Sequence, residues 1–379
     1  MKQAEHAIDW GRYRAEFPVA KSYIYFNHAA VSPLSTRVLA AMNAVAGGFL
    51  EKGVLCEEEA FARVAAAREA AARLIGARSE EIAFVKNTTQ GVLIAAQGIR
   101  WKRGDSLVMP AIEFPANVYP WLALEKRGVR IILVPPRDGR ITADMLAGAC
   151  TERTRCVTVS SVQFSNGYRI DLDALGRFCR ERGIYLHVDA IQSLGMLACD
   201  VRASKIDFLS AGGHKWLLGP TGAGLFYCRK ELLDKIDVWN PGWLGVKNAR
   251  SYLEYDPTPL PDARRYEEGS LNLYGIAGLG ASLERFLEIG TANVEERILG
   301  LTDLLEEGIR SRGYRIVSPR GKEERSGILC FLQPGEGTEA LYTKLSAACV
   351  VASLRQGAIR LAPHFYNEGE EVERLLDLL

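Results

Sequence analysis

Excess charge of either sign is missing from this sequence: 47 Lys and Arg stand against 46 Asp and Glu, a formal net charge of +1. With no block of five like charges either, the chain offers no electrostatic footprint for nucleic acid or an anionic membrane, and neither is expected as a partner. Long hydrophobic runs are scarce as well. None approaches the roughly eighteen apolar residues of a membrane helix, and Glu5 and Asp9 stand where a signal peptide would be apolar. A cytoplasmic protein is expected. Cysteine occurs at 56, 150, 156, 179, 199, 228, 330 and 349, without a CxxC pair or the density of a disulfide scaffold. Reduced thiols, mostly in the core, are therefore expected, and Cys349 in the apolar run AACVV reads as a core strand residue. The histidines (6, 28, 187, 214, 364) show neither HxxxH nor HExxH spacing, so no metal site is expected. Internal repeats and low-complexity tracts are absent too.

What is present is a pattern of short β-rich runs separated by helical stretches. At roughly 100 to 200 residues per domain, the length suits two or three units, or one large α/β domain with a smaller companion. IAFV (82–85), SLVM (106–109), RIILV (130–134), TRCVTVS (154–160), IYLHV (184–188), IDFLS (206–210) and AGLFYC (223–228) read as buried strands. Between the fourth and fifth, Asp171 is a good N-cap, Leu172, Leu175, Phe178 and Cys179 share one helical face, and Gly183 is a stop. The resulting βαβ unit implies a mostly parallel sheet covered by helices on both faces. The stretch 240–262 contains four prolines and no sustained periodicity, which makes it the best linker candidate. Helices at 275–289 and 291–312 follow, then strands near 314–317, 327–332, 349–354 and 358–362, and an acidic helix at 368–379. The expected division is an N-terminal segment 1–15, a large domain 16–262 and a small α+β domain 263–379. Gly275, Gly278 and Gly280 have the wrong order for a dinucleotide fingerprint and read as close helix packing.

In an open parallel sheet, ligands bind outside the carboxyl ends of the strands. After IAFV comes Lys86-Asn87-Thr88-Thr89-Gln90-Gly91, which either caps a helix or presents its free N–H groups to a phosphate. After IYLHV comes Asp189, a buried carboxylate that is either a cap or ion-pair partner, or the counter-ion of a cationic ligand atom. After IDFLS comes Ala211-Gly212-Gly213-His214-Lys215-Trp216, where a lysine among glycines and aromatics is a good amine nucleophile once desolvation lowers its pKa. Pyridoxal phosphate needs all three features: donors for its phosphate, a carboxylate for its pyridinium, and an amine to condense with its aldehyde.

Across YFNHAAVSP (25–33), NTTQG, EFPANVYPW (113–121), SNG (165–167), HVDAIQS (187–193), GGHKWLLGPTGAG (212–224), EEGSLN (267–272) and RLAPHFYN (360–367), the chain resembles the class V aminotransferase family of fold type I pyridoxal phosphate enzymes. The resemblance is to the branch of cysteine desulfurase-like, selenocysteine lyase-like and isopenicillin N epimerase-like proteins. It implies an α/β fold with a mostly parallel seven-stranded sheet and a smaller C-terminal α+β domain. It also implies pyridoxal 5'-phosphate as cofactor, a small amino acid as substrate, and a homodimer. By the same resemblance Lys215 is the cofactor-carrying lysine, Asp189 the pyridinium partner and Gln192 a donor to the phenolic oxygen. Thr88, Thr89 and His214 then hold the phosphate, with Ser270 reaching it from the neighbouring subunit unless that serine is a helix N-cap. Asn166 falls near the phenolic oxygen and substrate carboxylate, and Arg360 matches the arginine that clamps the α-carboxylate. His28 either faces the substrate or is a buried hydrogen-bonded histidine, whereas His187 and His364 read as structural.

Three departures from the desulfurase pattern matter. Phe114 stands where a ring-stacking histidine is found, so stacking is retained and proton transfer by that side chain is not. Ser353-Leu354-Arg355-Gln356-Gly357-Ala358 runs almost directly into Arg360, with no cysteine and no room for the Arg-x-Gly-His-x-Cys loop. Gly212 replaces a serine two positions before His214. These differences remove the desulfurase apparatus, and β-elimination from a sulfur-bearing amino acid, a C–S lyase reaction that needs no persulfide cysteine, is the first expectation, with transamination and epimerisation as its alternatives. A non-catalytic pyridoxal phosphate carrier is the remote alternative.

Overall fold

The computed structural model describes residues 8–335 and 337–379; the first seven residues of the expected segment 1–15, Glu5 among them, lie outside. The strands are β1 (Ile24–Tyr25), β2 (Ile82–Val85), β3 (Ser106–Pro110), β4 (Arg130–Val134), β5 (Thr154–Ser160), β6 (Tyr185–Asp189), β7 (Phe208–Gly212), β8 (Gly224–Cys228), β9 (Arg315–Ile316), β10 (Leu329–Leu332), β11 (Val350–Val351), β12 (Ser353–Arg355) and β13 (Ala358–Leu361).

All seven expected apolar runs form one seven-stranded sheet in the order β2-β8-β7-β6-β5-β3-β4. From β4 across to β7 the neighbours are parallel, and β8 runs antiparallel to both β2 and β7. Apart from the partly exposed Arg155 and Tyr185, β5 to β8 are buried, as strands covered on both faces must be. Only the edge strand β4 leaves Arg130 and Leu133 in solvent. The helix between β5 and β6, Leu172–Arg182, starts where Asp171 Oδ1 accepts from Ala174 N at 2.8 Å and stops at Gly183 in the left-handed region. Helix Leu273–Ile289 lies close on Glu57–Leu74 and Thr36–Lys52. A Cβ at Gly280 would sit 2.7 Å from Ala67 Cβ, and one at Gly278 2.7 Å from Met42 Cγ, which is the close packing the glycine cluster suggested.

A second, antiparallel sheet has the order β12-β13-β10-β9, and β1 pairs with β11 in parallel, tying the start of the chain to its C-terminal third. The run 240–262 holds no named helix or strand, only an isolated bridge between Val246 and Pro259.

The expectation for Cys349 is corrected: it is exposed, in a turn at φ 61° between helix Thr338–Ala347 and β11. Its neighbours carry the apolar pattern into the core while its own left-handed backbone turns the thiol outward. The scarcity of long apolar runs also needs qualifying. One stretch within Thr36–Leu74 is apolar and long enough to cross a membrane by composition. In the fold it is interrupted by the turn Gly53–Cys56; its first helix buries only Val38 and Val45 and leaves Leu39 and Leu50 exposed, and the turn leaves Val54 and Leu55 exposed.

Candidate active site

The carboxyl ends of β6 and β7, the start of helix Thr88–Gly98 and the β12–β13 hairpin enclose a cavity of about 420 Å³. Asp189, the last residue of β6, lines it. Its Oδ1 accepts from Ile191 N at 3.0 Å, and Oδ2 is buried with no partner. Burial raises its pKa, with Glu113 adding to the rise and Lys215 opposing it. Lys215 follows β7 and is itself buried, so desolvation lowers its pKa; Asp189 partly restores it, and Arg360 and Arg355 lower it further. Its Nζ lies 5.3 Å from the centroid of the Phe114 ring, which is 40% exposed at the cavity wall. Ser32 Oγ holds the lysine backbone, donating to Lys215 O at 2.6 Å.

Opposite Lys215, Asn87 caps helix Thr88–Gly98 by accepting from Gln90 N at 3.0 Å. Thr88 Oγ1 accepts from Gly212 N at 2.9 Å, so the helix start is fastened to the end of β7. Thr88, Thr89 and His214 all line the cavity, and burial lowers the His214 pKa. A Cβ at Gly212 would meet the His214 ring at 3.1 Å; the missing side chain is what lets that imidazole lie there. Gln192 spends its oxygen on Trp216 Nε1 (2.9 Å) and one N–H on Ala29 O (3.0 Å), which leaves its second N–H unspent. Arg360, in the middle of β13, donates from Nη1 to Phe164 O at 2.6 Å, while its buried Nε finds no partner. Burial lowers its pKa to about 10, so the guanidinium stays charged at neutral pH.

Over residues 24–375 the sequence matches the Aminotransferase class-V family. The chain belongs to that family. It is 31% identical to a probable cysteine desulfurase of Methanothermobacter thermautotrophicus over 97% of this chain and 96% of that one. The apo structure of cysteine desulfurase from Thermococcus onnurineus NA1 matches with a TM-score of 0.88 at 26% identity, covering 99% of this chain and 98% of that one. The cystine C–S lyase C-DES, in complex with its reaction product cysteine persulfide, reaches 0.89 at 24% identity over 95% and 98% of the two chains, a likeness of fold.

The cofactor of this class V aminotransferase family member is pyridoxal phosphate, and the cavity fits it on its own chemistry. An unpartnered buried carboxylate oxygen suits a ring N–H, a hydroxyl-bearing helix N-terminus suits a phosphate, and a desolvated amine suits an aldehyde.

Not every expected residue comes to the cavity. His28 is fully buried outside it: Nδ1 donates to Ala362 O at 2.7 Å, which makes Nε2 the acceptor of the Tyr366 hydroxyl at 2.8 Å. Both ring nitrogens are spent, and burial lowers its pKa to about 3, so the substrate-binding expectation is corrected to the structural alternative. Asn166 is turned away too, donating to Gly139 O at 2.7 Å and accepting from Tyr168 N at 3.0 Å. Ser270 is exposed on the turn before helix Leu273–Ile289, whose N-cap is Asn272, accepting from Gly275 N at 2.9 Å. His187 and His364 are buried with both nitrogens bonded, His187 to Thr158 and Ser210, His364 to Trp216 O and Phe365 N.

Sequence reasoning passed over Phe164, Arg355 and Glu113. Phe164 meets Phe114 edge to face at 5.1 Å between centroids, forming one wall. Glu113 sits behind that wall and accepts from Ser160 N (2.8 Å), Gln163 Nε2 (2.9 Å), Asn117 Nδ2 (3.1 Å) and the Ser160 hydroxyl. It positions the loop that carries Phe114. The available signal was an acidic residue inside the apolar motif EFPANVYPW, which a core position tolerates only when hydrogen-bonded.

Proposed function

We propose that this enzyme is a C–S lyase that removes sulfur from a sulfur-bearing amino acid by β-elimination. Lys215 carries the cofactor, Asp189 pairs with its ring nitrogen, and Thr88, Thr89 and His214 hold its phosphate. Gln192 gives its free N–H to the phenolic oxygen, Phe114 stacks on the ring, and Arg360 clamps the substrate α-carboxylate. Bound pyridoxal phosphate supplies an electron sink for the pair left at Cα. The Lys215 amine, which burial biases toward its neutral form, takes the Cα proton and is positioned to return it. Sulfur then leaves from Cβ with its electron pair, and the carbon skeleton, hydrolysed by one water molecule, ends as pyruvate and ammonia.

The observation that carries the choice of reaction is the turn between Arg355 and Ala358. Only Gln356 and Gly357 separate β12 from β13, so the hairpin has no loop on which a sulfur-accepting cysteine could ride. Among the described residues no cysteine lines the cavity. Cys330, paired with Arg360 across the sheet, is buried, donates to Ser165 O at 3.3 Å and has its pKa pushed up to about 11. The names of the relatives, cysteine desulfurase and cystine C–S lyase, support a substrate of the cysteine type. Product analysis over a panel of amino acids that includes cysteine and cystine tests the reading. Pyruvate with released sulfide or persulfide is expected; alanine with a protein persulfide would make it a desulfurase, and a keto acid or D-isomer a transaminase or epimerase. Borohydride reduction followed by peptide mapping should label Lys215.

A homodimer completes the proposal. Ser270 is exposed, has no capping role, and lines a surface hollow with Lys86 and Gln90, outside the cavity of its own subunit. That location supports a hydroxyl offered to the phosphate of a neighbouring subunit.

A further inference from the structure

We propose that Arg355 is a second anion-binding residue of this cavity, which selects an amino acid whose side chain carries a carboxylate of its own. The inference deepens the lyase reading and rests on it only in placing an amino acid against Arg360.

The register of the hairpin sets the geometry. Ser353 pairs with Arg360 and Arg355 with Ala358. Cross-strand partners project to one face and so do residues two apart, so Arg355 and Arg360 share a face, one diagonal step apart, about 7–8 Å between their Cα positions. Both line the cavity, Arg360 buried and Arg355 exposed at its mouth. The connecting turn is stiff, with Gln356 at φ 49° and Gly357 at φ 78°, the two positive values that a tight hairpin turn demands. Arg355 is therefore held in place by its strand.

Charge is what singles this arginine out. Among the described residues its guanidinium makes one hydrogen bond, from Nη1 to the adjacent Leu354 O at 3.2 Å, and has no carboxylate within 4.0 Å. It shares the cavity with two other cations, Lys215 and Arg360, and lowers the pKa of each. Among the described residues Asp189 is the one carboxylate that lines the cavity, and Ile191 N already holds one of its oxygens. An amino acid with a single carboxylate satisfies Arg360 and leaves Arg355 uncompensated. A substrate with a second carboxylate, such as the far half of a disulfide-linked amino acid, satisfies both.

The test is calorimetric binding of two unreactive probes, glutarate and butyrate, to the cofactor-loaded protein. The expected result is at least tenfold tighter binding of glutarate. In Arg355→Gln that preference should collapse to within twofold, with butyrate affinity changed by less than twofold, whereas Arg360→Gln should weaken both probes. Equal affinity of the native protein for the two probes, or equal weakening of both by Arg355→Gln, would overturn the proposal. Neither measurement needs turnover, so a failed lyase assay and a failed arginine assignment are told apart.

Discussion

Single residues in this protein owe their protonation to burial more than to partners. Asp189 and Lys215 are displaced in opposite directions by the same dry cavity, each partly restored by the other. His28 and His187 are pushed down to about 3 and His364 well below its ordinary value, all by desolvation first. A group whose pKa is depressed in the folded state stabilises the fold fully above its unfolded pKa, here about 6.5. As the pH falls toward 3 the unfolded chain takes up protons that the folded chain refuses, and that contribution is lost. Asp189 acts in the opposite sense: its raised pKa contributes most below the unfolded carboxylate value and less as pH rises. The imidazole nitrogen shifts of His28, His187 and His364 should accordingly stay those of neutral rings down to about pH 5 in long-range NMR spectra. A titration midpoint near 6.5 at any of the three would contradict their burial. The structural reading of His187 and His364 was legible from their positions within apolar strands and motifs. The place of His28 was not, because Ala362 and Tyr366, the groups that consume it, lie more than three hundred residues along the chain.

Elements followed their local patterns wherever period and capping agreed. Asp171 and Gly183 bound their helix as expected, and each apolar run became a strand within two residues of the expected limits. The hairpin β12–β13 is where an element decides chemistry, since a two-residue turn replaces a longer loop. Gly357→Val puts a β-branched side chain at φ 78° and should cost about 1–3 kcal/mol. Gln356→Asn, at φ 49°, suits this turn better and should be neutral or stabilising by a few tenths of a kcal/mol. Thermal unfolding of the two variants checks the turn; equal melting temperatures would mean the backbone is not held in this form.

At the scale of the whole molecule, an apolar helix face and an exposed Ser270 remain unaccounted for within one chain. Leu39, Leu50, Val54 and Leu55 are exposed on or just after helix Thr36–Lys52. A dimer that covers such surface and places Ser270 at the neighbouring phosphate couples cofactor retention to association. Apparent affinity for pyridoxal phosphate should then fall on dilution. Ser270→Ala should lose cofactor more readily without lowering the melting temperature of the cofactor-free protein, because Asn272, not Ser270, caps the helix. A monomer with undiminished cofactor affinity would refute the arrangement.

The sequence by itself determined the alternation of strands and helices and the carboxyl-end motifs that set Asp189 at the end of β6 and Lys215 just beyond β7. Those features are local: each strand's apolar run and the polar residues just beyond it lie within a dozen positions. Only the tertiary structure decided which side chains were already spent. Asn166 is consumed by Gly139 O and Tyr168 N, His28 by Ala362 O and Tyr366, and Cys349 is turned outward by a left-handed backbone. Arg355 emerged for the converse reason, since it finds no carboxylate partner among the described residues while the hairpin register sets it beside Arg360. A hydrogen-bonding group has a fixed number of donors and acceptors, and whether any remain for a ligand depends on partners brought near by the fold.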